Sequence, residues 1–325
     1  MPYFSVIIPV NRPDEVRDLL ESLSNQTSYD FEILLVEDGS TLPCRSVAND
    51  YSEKLDIHYY YKENEGRSIA RNYGMEKASG EYFIFFDSDC VIPESYFEIV
   101  RKELDRNYAD CFGGPDKAHE SFSDIQKAIN YSMTSFLTTG GIRGGKMQLE
   151  KFTPRTFNMG FSRKVFESVG GFREMFSEDI DMSTRIRQAG FSIRLIRPAY
   201  VYHKRRTSLK LFCRQIYIFG MSRISLYLLY PDTLKIVHLL PAAFVLGSLA
   251  MIIASFFWPY AILPLLFYLL AIFAVSLFSN KNLKIAALSV ITSVIQLGGY
   301  GIGFMKAFFL KILLGRGRDE TEEIR

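Results

Sequence analysis

The sequence predicts an α/β domain built on a mainly parallel sheet, followed by α-helices that cross a membrane. Three observations predict it. Short apolar runs alternate with helical patterns through the first hundred residues, the order expected of strand–helix–strand crossovers. Acidic residues gather where two of those apolar runs end. Finally, residues 236–305 hold two charges, Lys281 and Lys284, and no acid.

Residues 3–9 read as a buried strand. Residues 13–25 read as a helix, because Val16, Leu19, Leu20 and Leu23 recur at the spacing of one helical face. Residues 31–36 are a second strand running into Glu37-Asp38-Gly39-Ser40. A helix at 45–54 and a third strand at 57–61 follow. Residues 67–78 form a helix stopped by Ser79-Gly80, and 82–86 a fourth strand running into Asp87-Ser88-Asp89. Ligands of such sheets sit beyond the C-terminal strand ends, so the two acidic tips should share one crevice. Beyond residue 105 the pattern gives a strand at 110–114, a helix at 122–137, a Gly-rich basic loop at 138–151 and a strand at 153–162. A short helix at 163–169, a break at Gly170-Gly171 and a helix at 178–188 complete the domain, taken as one unit over residues 1–202.

Charge divides the chain further. Residues 1–202 carry 24 basic and 31 acidic side chains, a net of −7, whereas residues 203–235 set seven Lys or Arg against the single acid Asp232. The front domain shows no basic face, which argues against nucleic acid as a partner. Four cysteines without CxxC spacing point to isolated, reduced thiols rather than zinc or disulfides. The first fifteen residues lack a basic leader, so no signal peptide is expected and the front domain should face the cytoplasm.

Residues 203–235 read as basic, interfacial helices, with Phe212, Tyr217, Phe219, Tyr227 and Tyr230 suited to a membrane surface. The region 236–314 offers three runs, 236–257, 260–278 and 285–305, each long enough to span about 30 Å of hydrocarbon. Residues 315–325 form a charged tail. Pro241 and Pro264 should kink or interrupt their helices. The cations of 203–235, with Lys281 and Lys284, should lie on the cytoplasmic side. A third crossing then delivers Lys306, Lys311, Arg316 and Arg318 to the far side; otherwise residues 304–314 lie along the inner interface. Three crossings are the adopted expectation, in a multi-pass protein of the inner (cytoplasmic) membrane.

Asp87-Ser88-Asp89 is the strongest chemical signal. Two carboxylates at a strand end can hold a hard divalent cation, Mg2+ or Mn2+, which neutralises a diphosphate; turn or helix-cap carboxylates are the plainer alternative. Five pieces in order give it company: Ser5 to Val10, Val36 to Ser40, Gly66-Arg67-Ser68-Ile69-Ala70-Arg71-Asn72, the strand entering Asp87-Ser88-Asp89, and Gly170-Gly171-Phe172 before Glu178-Asp179. On these residues the chain resembles the family 2 glycosyltransferases, with their GT-A nucleotide-diphospho-sugar transferase fold, over about residues 3–215.

The resemblance implies roles. Pro9 and Val10 would line the base and ribose pocket, and Asp38 would accept hydrogen bonds from the base of a uridine nucleotide, with Glu37 a secondary contact. Arg71 would approach the nucleotide, while Ala70 and Asn72 fix their helix. Asp87 would contact ribose or sugar hydroxyls, Asp89 would ligate the metal, and Glu178 would belong to the donor side. Asp179 is the general base that takes the acceptor hydroxyl's proton during inverting transfer, and a helix start favours its charged form. Asn158 either shapes the donor-sugar site or is a strand-end turn. His203 is either a second metal ligand or an interfacial histidine, and Asp181 either orients the base's helix or is solvated.

Processive relatives carry Gln-x-x-Arg-Trp where this chain has Gln215-Ile216-Tyr217-Ile218-Phe219, so single-residue transfer is expected. The expected activity moves one sugar from a nucleotide-diphosphate donor, a UDP-sugar, to a lipid-linked or membrane-proximal glycan acceptor, with membrane lipids as further partners, in cell-surface polysaccharide assembly. A polyprenyl-phosphate glycosyltransferase is the nearest rival. A catalytically inactive scaffold or transport subunit is the rival from another class, disfavoured because the apolar runs carry no acid or arginine for an ion relay.

Overall fold

The computed structural model describes residues 2–40, 42–140 and 152–316. Along the chain the first elements are β1 (Phe4–Val10), α1 (Pro13–Ser24), β2 (Phe31–Asp38), α2 (Arg45–Tyr51), β3 (Ile57–Lys62), α3 (Arg67–Lys77) and β4 (Tyr82–Phe85). Next come β5 (Cys90–Val91), α4 (Tyr96–Arg106), β6 (Cys111–Gly113), β7 (Asp116–Lys117), α5 (Asp124–Thr134) and α6 (Phe136–Thr139). The rest are β8 (Met159–Ser162), α7 (Arg163–Val169), α8 (Glu178–Gln188), β9 (Ile193–Leu195), β10 (Val201–His203), α9 (Leu209–Leu229), α10 (Leu240–Ser255), α11 (Leu263–Asn280) and α12 (Leu283–Ala307). Two compact units result: Met1–His119 with Lys151–Lys204, and Glu120–Glu150 with Arg205–Arg325.

The first unit is organised by a seven-stranded sheet in the order β3-β2-β1-β4-β8-β6-β9. β3, β2, β1 and β4 run parallel, β6 and β9 run parallel, and β8 is antiparallel to both its neighbours. Helices cover both faces, which is why the central strands are apolar at successive positions rather than alternating with polar residues. Val6, Ile8 and Val10 of β1 pack with Val16, Leu19 and Leu20 of α1 and with Phe97 and Val100 of α4. Ile7 turns the other way, to Met75 of α3, Val165 of α7 and Met182 of α8. A small second sheet, β5-β10-β7, joins the segment after β4 to the end of the unit.

Several expectations change. Helix α4 has no counterpart in the sequence reading, although Tyr96, Phe97, Val100 and Leu104 form one buried stripe. The strand expected at 153–162 is extended only over β8 and follows a 3-10 turn, Thr156–Asn158. The helix expected at 122–137 breaks at Ser135, whose backbone is extended, into α5 and α6. Both belong with the C-terminal helices, so residues 120–140 leave the front unit in which the sequence placed them. Of the Gly-rich loop at 138–151, residues 141–151 lie outside the described residues, as does most of the charged tail.

In the second unit, α9 and α12 approach so closely that glycine is required. A Cβ on Gly303 would sit 2.1 Å from the Tyr217 carbonyl oxygen, and one on Gly220 2.1 Å from that of Tyr300. Hydroxyls bind across helices: Ser276 to Ser289 at 2.8 Å, Thr292 to the Ala128 carbonyl at 3.0 Å and Tyr131 to the Ile272 carbonyl at 3.2 Å. Two helices, Pro259–Asn280 and Leu283–Leu313, are long and apolar enough to cross a membrane. The first run expected as a span is helical only over the 16 residues of α10, which reach about 24 Å at 1.5 Å per residue. Pro241 and Pro264 stand in the first turns of α10 and α11, where a missing N–H costs nothing, and the helix bearing Pro264 follows directly on the 3-10 turn Pro259–Ile262. Cys44, Cys90 and Cys111 are buried free thiols, and Cys213 is free but exposed.

Candidate active site

The acidic segment after β4 and the start of α8 meet through one side chain. Arg71, on α3, has no exposed surface. It donates from Nη2 to Asp87 Oδ1 at 2.7 Å and from Nη1 to Glu178 Oε1 at 3.0 Å, and its guanidinium faces the Phe172 ring 5.7 Å from the centroid. Arg67, one turn earlier on the same helix face, adds a second cation, Nε at 3.2 Å from Glu178 Oε1. The acidic motif after β4 and the acidic first turn of α8 are thus held together by a buried ion network.

Asp179 follows Glu178 in α8. Its Oδ2 accepts from Arg155 Nη1 at 3.2 Å, and its Oδ1 from the Ile180 N–H at 2.8 Å. Ser177, just before the helix, takes a left-handed backbone (φ 68°) unusual for a residue with a side chain. Asp181 is wholly buried against Arg185 Nε (2.9 Å) and Arg173 Nη1 (3.3 Å), while Arg185 also donates to the carbonyls of Val169 and Gly171. Asn72 exchanges two hydrogen bonds with the Phe172 backbone, 2.8 and 2.7 Å, and a Cβ on Gly171 would collide with it. The Gly170-Gly171-Phe172 loop therefore fixes α8 against α3.

Asp89 and His203 come together because β5 and β10 pair antiparallel, with His203 opposite Cys90. His203 Nε2 lies 3.2 Å from Asp89 Oδ1, and its ring stacks on Phe157 with centroids 4.3 Å apart. Cys90 completes a group whose ligand atoms all lie within 4.8 Å of one another. These donors fit a divalent cation: a carboxylate and an imidazole converge, and the aromatic stacking holds the imidazole in place.

The residues expected to meet the donor sit around the ends of β1 and β2. Asp38, almost fully buried, accepts the N–H groups of Glu65 and Gly66, each at 3.0 Å, and Lys62 Nζ at 3.2 Å, so it anchors the turn into α3. Asn11 donates to its carbonyl oxygen at 2.9 Å. Glu37 is wholly buried and caps the start of α2 through the Cys44 N–H (2.9 Å), with Tyr59 OH (2.5 Å) and Ser40 Oγ also donating to it. Burial alone would raise its carboxyl, but these hydrogen bonds together hold it below the ordinary carboxylate range. The same burial, with Glu37 nearby, pushes the Cys44 thiol up to about 12. Gly39 turns the chain away with φ 61°, where a Cβ would strike Asn64. Pro9 is partly exposed at the strand end, whereas Val10 is core. Asn158 is buried; Tyr96 OH donates to its Oδ1 at 2.7 Å, and its Nδ2 donates to the Ala199 carbonyl at 2.9 Å.

Arg67, Arg155 and Cys90 were not singled out in the sequence. Arg67 was legible, four residues before Arg71 on a predicted helix. Cys90 was legible too, as the direct neighbour of Asp89, whereas Arg155 carries no local signal, since loop placement alone brings it to Asp179.

A mainly parallel sheet, with a carboxylate–imidazole pair after one strand tip and an acidic helix start tied to the same tip through Arg71, has the architecture of the GT-A fold. Residues 5–170 match Glycosyl transferase family 2, and the chain belongs to that family. It is 38% identical over 104 residues to a glycosyltransferase of Rickettsia bellii, covering 32% of this chain and 15% of that protein. Matches to the other rickettsial relatives likewise take in 17% of their length. Glycosyltransferase AglE of Haloferax volcanii is 25% identical over 267 residues, 77% of this chain and 82% of that one. Among solved structures, the mannosyltransferase PcManGT of Pyrobaculum calidifontis, in complex with GDP-Man and Mn2+, superposes with a TM-score of 0.61 at 16% identity, over 91% of this chain and 87% of that one. S. aureus TarS 1–349 in complex with UDP-GlcNAc gives 0.51 at 17% identity, over 97% and 93%.

Proposed function

We propose that this protein is a membrane-associated, inverting glycosyltransferase that moves one sugar from a nucleotide-diphosphate donor, a UDP-sugar, to a lipid-linked or membrane-proximal glycan acceptor. The observation that carries the reading is Arg71: one buried guanidinium joins the strand tip bearing Asp87 and Asp89 to the helix start bearing Asp179. In this reading Asp179 Oδ2 takes the proton of the acceptor hydroxyl as that oxygen attacks the anomeric carbon, and Arg155 is displaced or shared. Asp89 and His203 hold Mg2+ or Mn2+, which when bound neutralises the leaving diphosphate. Asp87 meets ribose or sugar hydroxyls. Pro9 and Asp38 border the base, where Asp38 Oδ2 accepts the Gly66 N–H and keeps lone-pair capacity for an imide N–H. Arg71 and Glu178 hold the two acidic motifs in register, and Asn158 holds the strand between them. The exposed apolar side chains of α10 and α11, Phe267 and Phe278 among them, fit a lipid environment, consistent with a multi-pass protein whose catalytic unit faces the cytoplasm at the inner membrane.

The test is a screen of UDP- and GDP-sugars with membrane extracts, with two variants in parallel. Asp179→Asn should keep nucleotide affinity within about threefold while turnover falls about 100- to 10,000-fold, and Asp89→Ala should weaken both. Full turnover in Asp179→Asn would remove the base from the proposal. Mass spectrometry of the lipid product separates the acceptors: a sugar on a lipid monophosphate identifies a polyprenyl-phosphate glycosyltransferase instead.

A further inference from the structure

Resting on that reading of the metal site, we infer that Cys90 gives the site a third donor, which takes up thiophilic ions such as Zn2+, Cd2+ or Co2+ in a four-coordinate, inhibitory geometry with a single free position. The argument begins with strand pairing. Cys90 and His203 are direct partners across β5 and β10, so their side chains leave the sheet on the same side. Asp89, immediately before β5, turns its carboxylate to the same point, and the three ligand atoms lie within 4.8 Å of one another. Two ligands at bond lengths of about 2.0–2.3 Å around a tetrahedral ion stand roughly 3.3–3.8 Å apart. The 3.2 Å between Asp89 Oδ1 and His203 Nε2 is already close to that spacing. The sulfur, wholly buried, donates to the Phe157 carbonyl oxygen at 3.7 Å and lies within 4.8 Å of the other two ligand atoms.

The donor set then selects between ions by chemistry. Mg2+ and Mn2+ favour oxygen ligands and six-coordination; with Asp89 and His203 alone they keep positions open for a diphosphate and water. A thiophilic ion adds Cys90 as a thiolate, the thiol proton passing to solvent as the metal–sulfur bond forms, with no change of oxidation state. Three protein ligands on a four-coordinate ion leave one position, too few for a chelating diphosphate. One site therefore holds a hard ion with several positions free and a soft ion with only one.

The experiment uses the full-length protein in detergent and Co2+ as the spectroscopic probe. Wild type should show a near-ultraviolet thiolate-to-cobalt charge-transfer band that Zn2+ abolishes by displacement, and Zn2+ should suppress Mn2+-supported nucleotide binding. Cys90→Ser should lose the band and bind Zn2+ at least about tenfold more weakly, while its Mn2+ affinity stays within about twofold of wild type. A Co2+ spectrum without sulfur character, or equal Zn2+ affinity in wild type and Cys90→Ser, overturns the inference and leaves the Asp89–His203 site standing. Unchanged Mn2+ affinity in Asp89→Asn overturns the underlying site instead.

Discussion

The two units bury polar atoms by different means. In the first, whole charges are taken out of water and matched: Glu178 with Arg71 and Arg67, Asp181 with Arg185, Glu37 with two hydroxyls, a thiol and an amide N–H. In the second, Arg205 is buried and donates to Asn130 Oδ1 at 3.0 Å, but the buried polar groups of α12 are the uncharged Ser289, Thr292, Ser293 and Gln296, and close approach comes from glycine. Desolvated charge is expensive and is kept where a rigid polar framework must hold reacting groups in place. An apolar helix bundle has no such requirement, and short side chains let its backbones meet.

The largest effect should come from breaking the charge network. Arg71→Met leaves Asp87 without its buried cation and Glu178 with Arg67 alone. Removing one partner of a buried pair costs about 3–5 kcal/mol, read as a fall in the denaturant midpoint of the first unit. A loss under about 1 kcal/mol would mean that Arg67 compensates and that the network is not the strut described above.

A smaller effect, with opposite signs at two positions, tests the helical half. On α12, Gly303→Ala drives a methyl into the Tyr217 carbonyl, and overpacking of this kind costs about 1–3 kcal/mol. Gly298→Ala, where nothing lies within 4 Å, should instead stabilise by about 0.5–1 kcal/mol through helix propensity. Thermal unfolding in detergent reads both. Equal shifts at the two glycines would show that α9 and α12 do not depend on close backbone contact.

The same contrast governs what was legible in the sequence. The parallel sheet, the acidic tips and the helix bearing Glu178 and Asp179 follow from periodicity and strand-end chemistry, which are local. Helix α4 was equally local and was passed over. By contrast, β5, β7, β9 and β10 are two or three residues long, too short for any pattern, and the pairing of β5 with β10 is what brings His203 to Asp89 and Cys90. The placement of α5 with the membrane-type helices was also illegible, because its apolar face, Ile129 and Met133 included, fits either partner equally well. The length of α10 was overestimated because hydropathy does not register where a helix starts, whereas Pro241 in its first turn does.

The smallest predicted effect concerns acid. Glu37 and Glu32 are both held below the ordinary carboxylate range by hydrogen bonds that outweigh burial, Glu32 by Ser5 and Ser79. A carboxyl lowered in the folded state stabilises the fold above its unfolded value of about 4.3. That contribution is lost as pH falls through the lower folded value. The first unit should therefore lose stability as pH drops below about 4.3, and Glu37→Gln should flatten that slope without removing it, since Glu32 remains. In the second unit Asp124 is lowered chiefly by its hydrogen bond from Lys284, but the pair is exposed to solvent. Added salt should screen its part of the acid response and leave that of Glu37 intact. Unfolding midpoints at pH 3 to 6, at low and high salt, would show which unit sets the acid limit. Identical slopes for wild type and Glu37→Gln would show that the buried hydrogen bonds of Glu37 do not discriminate between its ionised and neutral forms.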